Sequence, residues 1–373
     1  MKPTRRTKIQ SFLDKHIKSP LKKKKIVKNA YNICWLFERV FKRKQRLKTR
    51  DLFDYSYIFN GCSYFKCNEI YRANSLYGIS ASLRDYSSWN KTIKACIEHG
   101  VYFGETIIPR ETSKSGLPGI ITFSNFRNKY IRTVTNKPII AIGPYIAYSS
   151  DYIDNYAEIK EKIGKTLLVF PTHSGEGITA EFDIKEFLQK VESFKKQHGF
   201  QTVMVCLYYN DILLGRHTLY EKNGYTIVSA GRRDDPLFLS RLKSFIKVSD
   251  YSLSNSVGTH IGYCVFLGKG HYLIKSSNLV YSGDLKNQAG IDEEWYKNKK
   301  EVENEFTVYH DCITDEQLRI VDKFWGLSFI KQKDELHSLL EGLEKVFIKS
   351  KKKENRFVEE AIKVFGNDSN VLK

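Results

Sequence analysis

Between residues 166 and 274, short apolar runs alternate with stretches of helical period. The runs at 166–170, 203–207, 225–229, 250–254 and 271–274 read as strands, the first as one buried in a parallel sheet. After the first run, Phe182, Ile184, Phe187, Leu188, Val191 and Phe194 recur at helical spacing and stop near His198-Gly199. Asp235-Pro236 predicts an N-cap and a first-turn proline for a helix through Leu237, Leu242, Phe245 and Ile246. Residues 255–259 lead into a short helix ending near Leu267, and Gly268-Lys269-Gly270 turns into the last strand. Strands alternating with helices imply βαβ units and a doubly wound α/β domain.

Upstream the alternation repeats less regularly, with candidate strands at 57–59, 92–97, 119–123 and 137–142 and helical stretches near 66–87 and 124–134. Gly143-Pro144, followed by a polar stretch to Gly164, marks a domain boundary. The resulting scheme is a helical arm at 1–50, an α/β half at 51–150, a second at 151–300, and C-terminal helices at 301–373 that pack back across both. Phe324, Trp325, Leu327 and Phe329 are the docking residues of that last segment, and the lysines at 349 and 351–353 a solvated face.

A length of 373 residues suits two such domains, and 41% hydrophobic residues suffice for packed cores. No run is long and apolar enough for a spanning helix, and the polar start lacks a secretory h-region. Seven scattered cysteines, with only Cys62-x4-Cys67 close together, predict a reduced, cytoplasmic protein rather than a zinc site. The net charge of +19 is local: residues 1–50 hold 18 Lys and Arg against Asp14 and Glu38, so the arm carries +16 and the rest only +3. A nearly neutral body without a basic, aromatic stripe argues against a nucleic-acid partner. Within the arm, Ile26, Val27, Ala30, Ile33, Cys34, Phe37, Val40 and Phe41 recur at three- and four-residue steps between basic clusters. Such a helix suits the anionic inner face of a membrane, or equally a first helix burying its stripe on the body.

Candidate chemistry falls in loops beyond the carboxyl ends of strands, where open α/β sheets bind ligands. Thr172, His173, Ser174 and Gly175 follow the first run of the second half, with small residues that let backbone N–H groups approach a phosphate. Ser254, Asn255, Ser256, Gly258 and Thr259 enter a helix and offer hydroxyls and N–H groups at its start; simple N-capping is the alternative. Gly231 and Arg232 lie in a third loop of that edge, against a nucleobase or ribose, or as exposed loop charges. In the first half, Glu98, His99 and Gly100 end a strand, where one of Glu98 and His99 can face a cleft as a general base, a structural histidine at a strand end being the alternative. Ser124 and Arg127 bind an acceptor or cap the helix that follows them. No Asp-x-Asp, Gly-x-Ser-x-Gly, His-Glu-x-x-His or Gly-x-Gly-x-x-Gly pattern occurs.

Taken together, residues 98–100 with Phe103-Gly104, 122–127, 142–144, 170–174, 230–231, 254–259, Gly262-Tyr263 and 267–269 resemble glycosyltransferases of the GT-B fold from bacterial surface-polysaccharide pathways (capsule, O-antigen, lipopolysaccharide). The resemblance spans roughly residues 90–275. It implies two Rossmann-like doubly wound domains facing a cleft, a nucleotide-sugar in the C-terminal half, and a saccharide or lipid-linked acceptor in the N-terminal half, with no metal or other cofactor. It implies donor phosphates at Ser256 and Thr259, His173 near the nucleotide, and Glu98 or His99 as the base. The proline usual after Gly268-Lys269 is Gly270 here, and no glutamate is obviously placed for the donor ribose, which points to inversion. The alternatives are a glycerol- or polyol-phosphate transferase of teichoic-acid type, which shares the two-half architecture and a His-Gly pair, and a non-catalytic saccharide- or membrane-binding relative that keeps the fold.

Overall fold

The structure, a computed structural model, describes residues 17, 19–41, 51–60, 65–109, 111–174, 178–276, 278–283 and 293–350. Its architecture is α/β in two parts. In the first, β1 (Ala95–Ile97), β2 (Gly119–Thr122) and β3 (Ile139–Ala141) form a parallel sheet in that order. In the second, β4 (Thr166–Phe170), β6 (Thr202–Cys206), β7 (Thr226–Val228), β8 (Tyr251–Ser254) and β9 (Gly270–Leu273) form a parallel sheet in the order β7-β6-β4-β8-β9. Strand order runs outward from β4 in both directions, the doubly wound arrangement. All five residues of β4 are buried, as expected of the central strand of a sheet covered on both faces.

An antiparallel ribbon of β5 (Ile178–Glu181) and β10 (Val280–Gly283) stands apart from both sheets and has no counterpart in the sequence reading. Among the described residues, the helices of eight residues or more are α1 (Pro20–Phe41), α2 (Ile79–Tyr86), α3 (Tyr156–Ile163), α4 (Ile184–Gln197), α5 (Phe238–Val248), α6 (Thr259–Phe266), α7 (Glu293–Phe306), α8 (Asp315–Trp325) and α9 (Lys333–Ser350). In α4 the Asp183 carboxylate accepts from the N–H groups of Lys185 and Glu186, and the helix buries Phe187, Val191 and Phe194 on one face. No helix among the described residues is long and apolar enough to cross a membrane.

Two local expectations change. The segment Tyr57–Asn60 is a helical turn, not a strand, and Tyr57 and Ile58 join the core of the second half. The β1 edge that a fourth strand would have paired with is met by a side chain. Asn74 donates to Ala95 O at 2.8 Å and accepts from Ile97 N at 3.0 Å, which satisfies the backbone without a strand. Pro236 also precedes α5 rather than occupying its first turn. Asp235 accepts from Leu237 N at 2.9 Å, while its other oxygen is held by the buried Arg241 guanidinium, so the helix starts at Phe238.

The two parts share one apolar cluster, which includes Ile97, Phe123 and Tyr145 of the first and Leu168, Met204 and Leu242 of the second. Helix α5 packs against the 3-10 turns Arg72–Gly78 and Tyr145–Tyr148 of the first part. The C-terminal helices add further ties. Asn298 of α7 donates to Phe103 O at 2.8 Å, and Leu343 of α9 lies over Gly119. Trp325 at the end of α8 donates from Nε1 to Thr259 O at 3.0 Å. Its ring occupies the place a side chain on Gly262 would need, so α6 and α8 meet at glycine distance. Gly326 then turns with φ +72°, against the carbonyl of Phe123.

Candidate functional site

The loops at the carboxyl edge of the second sheet are tied together by Asn255. Its Oδ1 accepts from Thr172 N at 2.7 Å and from Thr172 Oγ1 at 2.9 Å, which joins the loop after β4 to the loop after β8. The residue is buried to 4% exposure, and its Nδ2 amide group has no hydrogen-bond partner among the described residues. An unmade bond of this kind costs about 1–3 kcal/mol, so the group calls for an acceptor that the described residues do not supply. Three residues on, Gly258 is the N-cap of α6, and Thr259 opens that helix. Gly258 has extended backbone, and a Cβ there would lie 2.8 Å from the His260 ring. His260 stacks on Phe170 at 4.7 Å, and burial drives its pKa down to about 3, so the ring is neutral.

His173 stands on the same edge with its ring 4.7 Å from Tyr208, which follows β6. The side chain reaches solvent although protein crowds it on most sides; that crowding lowers its pKa, and Asp211 pulls the other way. Ser174 is a loop-shaping residue. Its N–H donates to Asp211 at 3.1 Å, and its Oγ accepts from Ala180 N at 3.2 Å. In the third loop Arg232 lies over the Tyr209 ring at 4.5 Å, and Gly231 takes φ +103° where Arg241, Tyr57 and Asp235 leave no room for a side chain. Gly175 lies outside the described residues, and Ser256 is half-buried in the loop before α6.

The first half reaches this edge through two loops. Val101 N donates to Thr259 Oγ1 at 3.4 Å, which brings the 98–101 loop onto the start of α6. Tyr77 donates from its backbone N–H to Arg233 O, and its ring lies 5.1 Å from Phe238 and 6.3 Å from His99. His99 and Gly100 are half-buried between these contacts, and nothing stands within 4 Å of where a Gly100 side chain would be. The structure therefore brings the loop that carries His99 and Gly100 onto Thr259 through Val101, and joins Thr172 to Asn255 on the same edge, with His173 and Arg232 on neighbouring loops.

Four predicted residues have other work. Glu98 is buried, and its carboxylate is taken up by Arg127 (Nη2 at 2.9 Å, Nε at 3.2 Å) and Thr122 Oγ1 at 2.7 Å, so it is no free base. Arg127 is equally enclosed: it also donates to Gly104 O and to Thr106 O at 2.7 Å, and at 3% exposure it does not face an acceptor in solvent. Ser124 caps the turn Asn125–Arg127 and donates to Lys323 O at 2.7 Å, an internal tie to α8. Ser254 is a buried β8 residue that, with Ser252, holds His271 (Oγ to Nε2 2.9 Å, Oγ to Nδ1 2.8 Å). Sequence reasoning assigned no role to Tyr77, Tyr208 or His260. Tyr208 had a signal, since it directly follows a strand run on the ligand edge.

A separate cavity of about 610 Å³ opens between α2 and the start of α5, lined by Arg84, Asp85, Trp89 and Ser240 among others, and contains none of the predicted site residues. No family model matches the chain, and no curated protein matches it. Among solved structures it is similar to one described as the S. aureus MnaA-UDP co-structure, with 10% sequence identity, a TM-score of 0.34, and coverage of 71% of this chain and 70% of that chain.

Proposed function

We propose that the protein is a cytoplasmic glycosyltransferase that moves a sugar from a nucleotide-sugar to a saccharide or lipid-linked acceptor in surface-polysaccharide synthesis, without a metal. The supporting observation is the buried amide donor of Asn255, unmatched among the described residues, at the head of α6. A diphosphate supplies the acceptor oxygens that such a donor requires, and the free N–H groups at the start of a helix add positive potential for it. In this reading Asn255, Thr259 and the α6 N–H groups hold the donor diphosphate. His173, Tyr208 and Arg232 border the nucleoside.

Because Glu98 is bound to Arg127, His99 is the proton acceptor. It takes the proton of the acceptor hydroxyl as that oxygen bonds to the anomeric carbon. The bond from that carbon to the diphosphate oxygen breaks, and its electron pair leaves on the nucleoside diphosphate, where the donors at α6 stabilise the charge. Inversion at the anomeric carbon follows from a single displacement.

A thermal-shift screen against UDP, GDP, CDP and CMP tests the reading. Ligand at a hundred times its Kd adds about 2.7 kcal/mol, a rise of a few degrees for a chain of this size. One nucleotide should raise the melting temperature, and Asn255→Asp, which places a carboxylate against the phosphates, should abolish that rise. His99→Ala should retain the shift and lose turnover with the matching nucleotide-sugar. No shift with any nucleotide would sink the proposal.

A further inference from the structure

Helix α1 meets the body along one face, where Leu21 packs beside Gly116 and the following turns dock through polar and cation–π contacts. Asn32 exchanges two hydrogen bonds with the backbone of Cys67, from Nδ2 to O at 3.0 Å and from N to Oδ1 at 2.9 Å. Lys28 donates to Asn68 O at 3.1 Å, Lys24 lies 4.0 Å over the Tyr71 ring, and the Tyr31 hydroxyl bonds the Asp234 carboxylate. These residues recur at three- and four-residue steps and so form a single stripe. The opposite stripe, with Lys22, Lys25, Ile26, Ala30, Ile33 and Leu36, is exposed. Ile26 is 43% exposed, Ile33 54% and Leu36 53%, the reverse of a helix that buries its aliphatic side chains in a protein core.

We propose that this exposed stripe of α1 lies in the surface of an anionic phospholipid bilayer, with Ile26, Ile33 and Leu36 at the boundary of headgroups and acyl chains and the lysines against lipid phosphates. Charge selects the occupant. Residues 1–50 carry +16 while the remainder carries +3, so the apolar stripe belongs to the one strongly cationic region of the chain. A second copy of the chain would bring the same lysines against one another, whereas an anionic leaflet attracts each of them and accepts the aliphatic side chains as well. The helix therefore lies in the plane of the interface, its docked face holding the body above it. This inference does not depend on the catalytic reading.

Co-sedimentation of the full-length protein with vesicles tests it. Binding is expected to phosphatidylcholine vesicles containing phosphatidylglycerol, much less to phosphatidylcholine alone, and more weakly as salt is raised. Ile33→Ser combined with Leu36→Ser should leave the melting temperature unchanged, because both side chains are exposed, and lower vesicle affinity about tenfold or more. Lys22→Ala with Lys25→Ala should lower it about fivefold per lysine. Absence of binding to the anionic vesicles, or equal binding by the Ile33/Leu36 variant and the parent, overturns the proposal. Self-association seen by light scattering and removed by that variant, without vesicle binding, overturns it in favour of a second copy.

Discussion

The carboxyl edges of the two sheets present opposite solutions to buried polarity. In the first half, Glu98 after β1, Thr122 at the end of β2 and Arg127 beyond it satisfy one another out of solvent, and Ser124 is tied to α8, while His99 and Gly100 stay half-buried toward the second half. In the second half, Thr172 orients Asn255, whose amide nitrogen is left with no partner, and His173 stays accessible beside Tyr208. Both edges carry polar residues of the kinds that bind ligands. Residue type alone does not distinguish them; what does is whether their hydrogen bonds are already made. A saturated edge serves stability, and an unsaturated one has capacity left for a ligand.

The largest effect expected from this contrast is at Glu98. Glu98→Ala strands the Arg127 guanidinium in the interior and should cost about 3–5 kcal/mol, read as a lowered denaturant midpoint, while any nucleotide-induced thermal shift persists. Loss of catalytic turnover in a variant of unchanged stability would restore Glu98 as the base and erase the distinction between the edges.

Next is the joint that holds the edges together. Gly262→Ala drives a methyl group into the Trp325 ring and should cost about 1–3 kcal/mol. Because Trp325 also holds the Thr259 carbonyl, the same variant should weaken nucleotide binding, whereas Glu98→Ala should not.

A smaller effect concerns pH. Burial raises the Asp234 pKa from the ordinary 3.8 to about 6, with the neighbouring Asp235 adding to the rise and its own backbone hydrogen bond opposing it. The folded state then binds the proton more tightly than the unfolded chain does. Stability contributed by protonated Asp234 is present below the unfolded pKa and is lost as pH rises from about 4 to about 6. The melting temperature of Asp234→Asn, compared with the parent across that window, should fall less steeply. Identical slopes would show that burial does not raise the Asp234 pKa in the folded protein.

Legibility followed the range of the interactions. The strand run at 166–170 coincides with β4, and the helix through Phe187, Val191 and Phe194 is α4, because each is defined by its own burial pattern. Upstream, β1 and β3 are three residues long, and the expected strand at 57–59 is a helical turn packed on the other half. A run that short carries too little periodicity to separate strand from turn, and the substitute for a fourth strand is a single side chain, Asn74. Within the site, Asn255 and Thr259 were visible as small polar residues before a helix, while His260 and Tyr77 drew no attention, since a lone ring has no spacing to recognise.

What the sequence by itself determined is the α/β class, the parallel alternation of the second half, the loops at its carboxyl edge and the concentration of positive charge in the first fifty residues. These are properties of local period and composition, readable wherever successive residues share a face. The tertiary structure alone decided that Glu98 belongs to Arg127, that Asn255 keeps an unmatched donor, and that α1 turns its aliphatic stripe outward. Each of those outcomes depends on which distant residue arrives at hydrogen-bonding or van der Waals distance, and one-dimensional patterning carries no such distance.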